Sequence, residues 1–192
     1  MGKILRTLLD ICIAFFEPTD VEISAKPFET PYWKAVKFIT PNLNELYHIA
    51  SFLNIAANEP SRCKIKQAAI LARKLANYVE NVIVTLGPSG VLIARKGLSN
   101  EPFLKVVEDG EINVRHYPGK VVNNLVNVSG AGDCLASGVI AGILSDSTEE
   151  KCLSVGFAAA HTSLYSKSAV PVEIFNRNHS SWNISETFQI LE

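Results

Sequence analysis

The sequence has no excess of charge of either sign and no long apolar run. Its 192 residues include 18 Lys and Arg and 19 Asp and Glu, a net charge of -1, and the basic residues are scattered along the chain. Charge-driven binding to nucleic acid or to an anionic membrane needs a basic patch, which is missing. A helix that spans a membrane needs about 20 consecutive apolar residues, which the sequence never offers. We therefore predict a soluble protein that acts on small molecules, with neither nucleic acid nor membrane as partner.

Cysteine pairs and export signals are also missing. The sequence has no C-x-x-C pair and no set of histidines at zinc-ligand spacing near a cysteine. The apolar residues before Phe16 are interrupted by Asp10, are followed by Glu17, and lack a small-residue cleavage site, so they do not read as a signal peptide. We expect a cytoplasmic protein with free thiols. The four cysteines are Cys12, Cys63, Cys134 and Cys152.

The chain does have enough apolar residues for a core. Hydrophobic residues make up 47% of it and charged residues 19%, which favours one globular domain over residues 1–192. Short apolar runs closed by turn residues predict strands, and apolar residues spaced three to four apart predict helices. The predicted strands are 11–16, 37–40, 82–86, 91–94, 103–107 and 112–116, the last two joined by a hairpin turn at Asp109 and Gly110. The predicted helices are 42–53, 61–78 capped by Ser61, 133–144 and 149–166. This order predicts a layered α/β domain with a mostly parallel sheet.

The strongest chemical signal is the turn from Asn127 to Asp133. Gly130 and Gly132 let backbone amides converge on an anion, and the helix that follows adds the partial positive charge of its N-terminus. Asp133 lies in the first helical turn, where its carboxylate can reach a hydroxyl that loses a proton. The alternative is a tight turn whose aspartate only caps the helix.

Two further stretches stand at the ends of predicted strands. Asn42 and Glu45 follow the strand 37–40, where a carboxylate and an amide on one helical turn suit hydrated Mg²⁺. The alternative is a capping box, with Asn42 as N-cap and Glu45 as its partner. Thr85 and Gly87 lie at the end of the strand 82–86, the position where α/β folds collect ligands. Gly90 is also explained by a hairpin.

Three stretches of the sequence, in the right order, resemble the motifs of the PfkB family of carbohydrate and nucleoside kinases. Residues 127–133 match the family's D/N-x-x-G-A-G-D turn. Residues 40–45 resemble its N-x-x-E motif, and residues 84–90 resemble its T-L-G-x-x-G turn. The resemblance implies a ribokinase-like layered αβα fold and an ATP-dependent phosphotransferase.

The resemblance also implies site roles. Asp133 would take the proton from the substrate hydroxyl, and the amides of Gly130, Ala131 and Gly132 would stabilise the transferred phosphoryl group. Asn42 and Glu45 would help to place Mg²⁺ and phosphate, largely through water. The remaining positions, implied to lie against the nucleotide, are Thr85, Gly87, Gly90, Asn127 and Ala160.

The resemblance has two further implications, one for the adenine of the nucleotide and one for a monovalent cation. Ala158 to Ala160 have a family precedent beside the adenine, but a buried small-residue helix face also explains them. A monovalent cation such as K⁺ occurs in parts of the family near the Asn127 loop and residues 166–170, and is implied by the resemblance alone.

The substrate is suggested by residues 15–21 together with 37–42, which look like the pseudouridine kinase branch of the family. The implied reaction converts ATP and pseudouridine to ADP and pseudouridine 5'-phosphate. Ribose, other sugars and adenosine remain alternatives. In animals that branch is commonly fused to a pseudouridine-5'-phosphate glycosidase domain, so such a domain is one expected partner, and a homo-oligomer is left open.

The matched motifs normally occupy the second half of the family fold. The resemblance therefore implies a partial kinase domain without the N-terminal strands, the lid and the residues that grip the sugar. A truncated, inactive fragment that binds nucleotide or a partner chain is the competing hypothesis. A flavodoxin-like or Rossmann-like domain for another cofactor is a third, but a G-x-G-x-x-G turn after the first strand is missing.

Overall fold

The computed structural model describes residues 13–55, 63–105, 107 and 109–191. They form two compact units, the first containing the described residues up to Lys96 with Ile112–His116 and residues 190–191, the second containing the described residues of Gly97–Glu111 and Tyr117–Gln189. Within the described part of the chain, no helix is both long enough and apolar enough to cross a membrane.

Six strands of the described residues form one mixed sheet, in which the spatial order follows the sequence. Strands β1 and β2 are parallel, as are β2 and β3, whereas β3 and β4 pair antiparallel. The carboxyl ends of β1, β2 and β3 therefore meet at one edge of the sheet. The strands are β1 (Ala14–Phe16), β2 (Val36–Ile39), β3 (Asn81–Thr85), β4 (Val91–Arg95), β5 (Asn113–Tyr117) and β6 (Gln189–Ile190).

The helices of the first unit, α1 (Leu43–Phe52) and α2 (Lys64–Leu75), cover one face of this sheet. Leu46 on α1 and Leu75 on α2 belong to one core cluster with Val82 and Val84 of β3. The alternate residue Ile83 is also fully buried, so β3 is enclosed on both faces. Burial on both faces explains why these strands are near-continuous apolar runs rather than alternating ones.

The β3–β4 hairpin depends on glycine. Residues Gly87–Ser89 form a short 3₁₀ turn, and the Leu86 N–H donates to the Gly90 carbonyl at 2.8 Å. Gly90 has φ +96° and ψ -138°, a conformation that residues with a Cβ avoid. The hairpin explanation of Gly90 is thus confirmed.

The second unit is built on two closely packed helices, α3 (Ala131–Ile143) and α4 (Glu149–Leu164). A Cβ added at Gly138 would lie 2.8 Å from the Gly156 Cα, and one added at Gly142 would lie 2.8 Å from the Cys152 Sγ. The small residues after Gly132, which predicted a tightly packed helix, are therefore what allows α3 to approach α4.

Most predicted elements are confirmed with shifted ends, but the strand 103–107 and its hairpin are wrong. Residues 103 and 104 form a turn, the Phe103 N–H donates to the Ser147 carbonyl at 3.0 Å, and the Phe103 side chain is buried. Phe103 serves the core of the second unit as an anchor, so its apolar character does not indicate a strand. Ser61 and the first two residues of strand 11–16 lie outside the described residues, and the long helix ends at Leu75 rather than 78.

We predict that Gly138→Ala lowers the free energy of unfolding by about 1–3 kcal/mol, because its Cβ would meet backbone atoms of α4 and force the helices apart. Urea denaturation measures this. The matched control is Gly132→Ala on the same helix, where an added Cβ meets nothing within 4 Å. That control is expected to be neutral or stabilising, and equal losses in both variants would contradict the packing argument.

Candidate active site

The Asn127–Asp133 turn starts helix α3. Gly130 is the N-cap residue, with φ +79°, and its carbonyl accepts the Cys134 N–H at 2.9 Å. Upstream, the Asn127 Oδ1 accepts the Ser129 N–H at 3.0 Å, which closes a small side-chain turn. Glycine is needed at position 130 because the left-handed conformation is strained for other residues.

The first turn of α3 leaves backbone donors free. Within the described residues, the N–H groups of Gly130, Gly132 and Asp133 have no acceptor, whereas the Ala131 N–H donates to the Val128 carbonyl at 3.4 Å. Gly132 is exposed to solvent. Free N–H groups together with the helix dipole favour the binding of an anion.

The Asp133 carboxylate lies on the same exposed turn. No hydrogen bond or ion pair to it occurs in the described part of the chain, and it makes no capping bond to the helix. The alternative in which Asp133 only caps α3 is therefore wrong. An unpaired, exposed carboxylate beside free amide donors is available to accept a proton.

A second backbone segment approaches this turn. A Cβ placed on Gly130 would lie 2.0 Å from the carbonyl oxygen of Ala169. The N–H groups of Val126 and Asn127 also donate to the Leu164 carbonyl, at 2.9 and 3.2 Å. The turn is thus held from the end of α4 and from the segment that follows it.

In the first unit, Asn42 and Glu45 form the capping box that was one of the two alternatives. The Asn42 Oδ1 accepts the N–H groups of Asn44 and Glu45 at 2.9 and 3.1 Å, and the Glu45 Oε2 accepts the Asn42 N–H at 2.8 Å. The Glu45 Oε1 has no hydrogen-bond partner among the described residues. Capping therefore uses one carboxylate oxygen and leaves the other available.

The buried position of Glu45 favours a cation. Burial raises the pKa of the Glu45 carboxyl, the Asn42 N–H lowers it, and the charge of Asp20 raises it again. The Thr40 hydroxyl, at the end of β2, is buried and has no partner within the described residues. No group of three His, Cys, Asp or Glu side chains in that part of the chain could enclose a metal. Mg²⁺, which keeps most of its waters and needs only one or two carboxylates, fits these residues.

The strand ends bring two of the motifs together. Asn42 forms an isolated parallel bridge with Thr85, whose N–H donates to the Pro41 carbonyl at 2.9 Å. Gly87, with φ +56°, follows within the same turn. The Asn42–Glu45 and Thr85–Gly90 motifs therefore share one edge in the first unit, and the Asp133 turn belongs to the second.

Other residues of α3 and α4 differ in exposure. Of the three alanines, only Ala159 is fully buried, so Ala158 and Ala160 are partly open to a ligand and a buried helix face does not account for all of them. Cys134 is buried, and this burial raises the pKa of its thiol, in keeping with an inert packing residue. His161 is exposed and meets the Tyr165 ring edge-on at 4.9 Å.

Sequence reasoning missed Asp20 and His48. Asp20 acts on Glu45 through its charge, and His48 contacts the backbone of the segment that contains Asp20. Asp20 stands directly before Val21, in a stretch that resembles the pseudouridine kinase branch, but nothing in its spacing indicates that its charge acts on Glu45.

We predict that Glu45→Gln gains stability relative to the natural protein as pH rises. Because the pKa of Glu45 is raised on folding, the unfolded chain loses its proton first, near pH 4.5, and the natural protein is destabilised until the folded carboxyl also ionises. The difference in unfolding free energy should be constant below that range, grow through it, and then level off. Denaturation at a series of pH values measures it, and a pH-independent difference would contradict it.

We also predict that Gly130→Ala is more destabilising than Gly87→Ala. Both positions have positive φ, +79° and +56°, but a Cβ at Gly87 meets nothing within 4 Å. The extra loss, about 1–3 kcal/mol, isolates the clash with Ala169. Thermal or urea denaturation of the pair decides it, since equal losses would mean that backbone strain alone is responsible.

Known structures resemble this one over about half of their own length. Ribokinase from Cryptococcus neoformans var. grubii serotype A in complex with ADP superposes with a TM-score of 0.64 at 22% identity, covering 83% of this chain and 49% of that one. Adenosine kinase from Schistosoma mansoni in complex with 2-fluoroadenosine gives a TM-score of 0.63 at 15% identity, covering 88% and 46%. At such identities the likeness shows the fold, which is ribokinase-like.

The sequence itself has a curated relative. A pseudouridine kinase from Arabidopsis thaliana is 27% identical over an alignment of 199 residues. The alignment covers 83% of this chain and 51% of the relative, so this chain spans half of that protein's length. The family model that describes pfkB family carbohydrate kinases matches residues 24–173. Since this match takes in most of the chain and includes all three motifs, the chain belongs to the pfkB family of carbohydrate kinases.

Proposed function

We propose that this chain carries out the phosphoryl-transfer step of an ATP-dependent kinase that acts on the hydroxyl of a sugar or nucleoside. One observation carries the proposal: free N–H groups of Gly130, Gly132 and Asp133 and an unpaired Asp133 carboxylate share the exposed first turn of α3. Phosphoryl transfer requires both features, a cradle for developing negative charge and a group that takes the hydroxyl proton.

The turn divides the chemistry between backbone and side chain. The N–H groups, with Ala131 between them, stabilise charge on the transferred phosphoryl oxygens, and the α3 dipole adds to their effect. The Asp133 carboxylate accepts the proton of the attacking hydroxyl as the new oxygen–phosphorus bond forms. ADP leaves with the electrons of the broken bond.

The other predicted site residues would contact Mg²⁺ and the nucleotide. Asn42 and the free Glu45 Oε1 would hold hydrated Mg²⁺, which supplies charge neutralisation at the phosphates. The nucleotide would contact Thr85, Gly87, Gly90, Asn127 and Ala160. K⁺ is a further proposal, supported by the Ala169 carbonyl beside Gly130, since carbonyl oxygens are ligands for such ions.

Pseudouridine is the first substrate to test. The support is the 27% identity to a curated pseudouridine kinase together with the segment after β1 that resembles this branch. Ribose and adenosine follow, because ribokinase and adenosine kinase are among the proteins of similar fold. A pseudouridine-5'-phosphate glycosidase domain as partner, a homo-oligomer and a cytoplasmic location stay predictions.

A second candidate is a fragment that binds Mg-ATP without turnover. The observation that favours it is the coverage of only 51% of the pseudouridine kinase. Catalysis requires that both reactants be positioned and that water be excluded, so a bound nucleotide alone gives no reaction.

We predict that Asp133→Asn lowers the rate of ATP-dependent pseudouridine phosphorylation by at least about 100-fold, the usual contribution of a general base. Mg-ATP binding by calorimetry should persist, because the amide cradle is unchanged. The matched control is Asp146→Asn, an exposed aspartate of the same unit outside the turn, whose activity should equal that of the natural chain.

The outcomes separate the two candidates. Equal rates for Asp133→Asn and Asp146→Asn would remove the role of Asp133. Mg-ATP binding by the natural chain, without turnover of pseudouridine, adenosine or ribose, would select the second candidate. Absence of Mg-ATP binding would overturn both.

A further inference from the structure

The segment after β1 folds into a turn organised around one carbonyl oxygen. The Val21 carbonyl accepts the Ser24 N–H at 3.3 Å and the Ser24 hydroxyl at 2.7 Å, and Ser24 itself is fully buried. The Asp20 Oδ1 accepts the Glu22 N–H at 2.8 Å. These bonds fix the turn from within and leave the Asp20 side chain exposed.

A third donor reaches this carbonyl from another element. The ring of His48, on α1, donates its Nδ1–H to the Val21 carbonyl. His48 follows Glu45 by three residues, so the two side chains lie on the same face of the helix. The bond therefore ties the Asp20–Ser24 turn to the helical face that carries Glu45.

Two carboxylates consequently stand near each other without a protein cation. Asp20 directly precedes Val21, whose carbonyl accepts the His48 bond one helical turn from Glu45, and the charge of Asp20 raises the pKa of the Glu45 carboxyl. Within the described residues, no Lys or Arg forms an ion pair with either side chain. The orphaned Thr40 hydroxyl at the end of β2 is a further buried polar group of this region that lacks a partner. Two carboxylates that lack a paired Lys or Arg at the ends of parallel strands form an environment that suits a hydrated cation.

We propose that His48 is a positioning residue: by holding the Asp20–Ser24 turn on α1, it keeps the Asp20 carboxylate where it helps Glu45 to retain hydrated Mg²⁺ of the nucleotide. The Mg²⁺ part of this inference rests on the proposed function. The anchoring part concerns the ligand-free chain. No sequence motif assigns a role to Asp20 or His48, because the contact exists only once β1 and α1 are assembled.

The test uses three variants of the whole chain. His48→Ala removes the donor, and His48→Asn keeps an N–H donor at nearly the position of the Nδ1. Asp20→Asn removes the charge but keeps the oxygen that accepts the Glu22 N–H. The first measurement is hydrogen exchange at the amides of residues 22–26 without nucleotide, and the second is the affinity for Mn²⁺ as a probe of the Mg²⁺ site in the presence of excess ADP.

The expected results differ between the two measurements. Exchange should become faster in His48→Ala and stay near the natural rate in His48→Asn and Asp20→Asn. Mn²⁺ affinity should fall roughly tenfold in both His48→Ala and Asp20→Asn, the usual effect of losing a group that supports a metal ligand, and recover in His48→Asn.

Several results would overturn the inference. Unchanged exchange in His48→Ala removes the anchoring role, and unchanged Mn²⁺ affinity in Asp20→Asn removes the role of that carboxylate. Faster exchange in His48→Ala with full Mn²⁺ affinity makes His48 a purely structural residue. If the natural chain binds neither Mn²⁺ nor ADP, the proposed function fails together with the role of Asp20, while the exchange data still decide whether His48 holds the turn.

Discussion

The second unit depends on backbone segments that pack closer together than a side chain between them would allow. At Gly138 and Gly142, α3 meets α4 so closely that an added Cβ would lie 2.8 Å from atoms of the partner helix. At Gly130, the Ala169 carbonyl occupies the place that a Cβ would take. The same requirement for glycine thus sets both the packing of α3 and the shape of the turn at its start. A helix fixed along its length can keep an exposed first turn in one geometry, and preorganised N–H donors are what an anion site needs.

In the first unit, parallel pairing creates the corresponding constraint. Because β1, β2 and β3 run in one direction, the segments that leave them gather polar groups at one edge of the sheet. Glu45 is buried there, and its N-cap bond engages one carboxylate oxygen only. Burial of a carboxylate without a cation is unfavourable, and the charge of Asp20 adds to this. The proposed Mg²⁺ would offset both effects, and because capping engages only one carboxylate oxygen, capping and the proposed cation binding are compatible.

The family and its proposed reaction follow from different kinds of evidence. Membership rests on the match across residues 24–173, which contains the three motifs in order. The reaction rests on the local chemistry of the Asp133 turn, since a shared fold hosts many substrates. Half of the relative's length lies outside the alignment with this chain, and the substrate-binding contacts that discriminate pseudouridine from ribose or adenosine are not among the residues that argue for phosphoryl transfer.

The sequence by itself determined the α/β class, five of the six predicted strands, the helices around them and the three motifs, because these depend on local periodicity, glycine conformation and residue order. It also contained both alternatives for Asn42 and Glu45. Only the tertiary structure decided what depends on distant residues: that Phe103 anchors a turn instead of forming a strand, that Ala169 leaves no room for a Cβ at Gly130, and that His48 contacts the segment containing Asp20. Contacts between residues far apart in the chain arise from strand direction and helix packing, which no local pattern encodes.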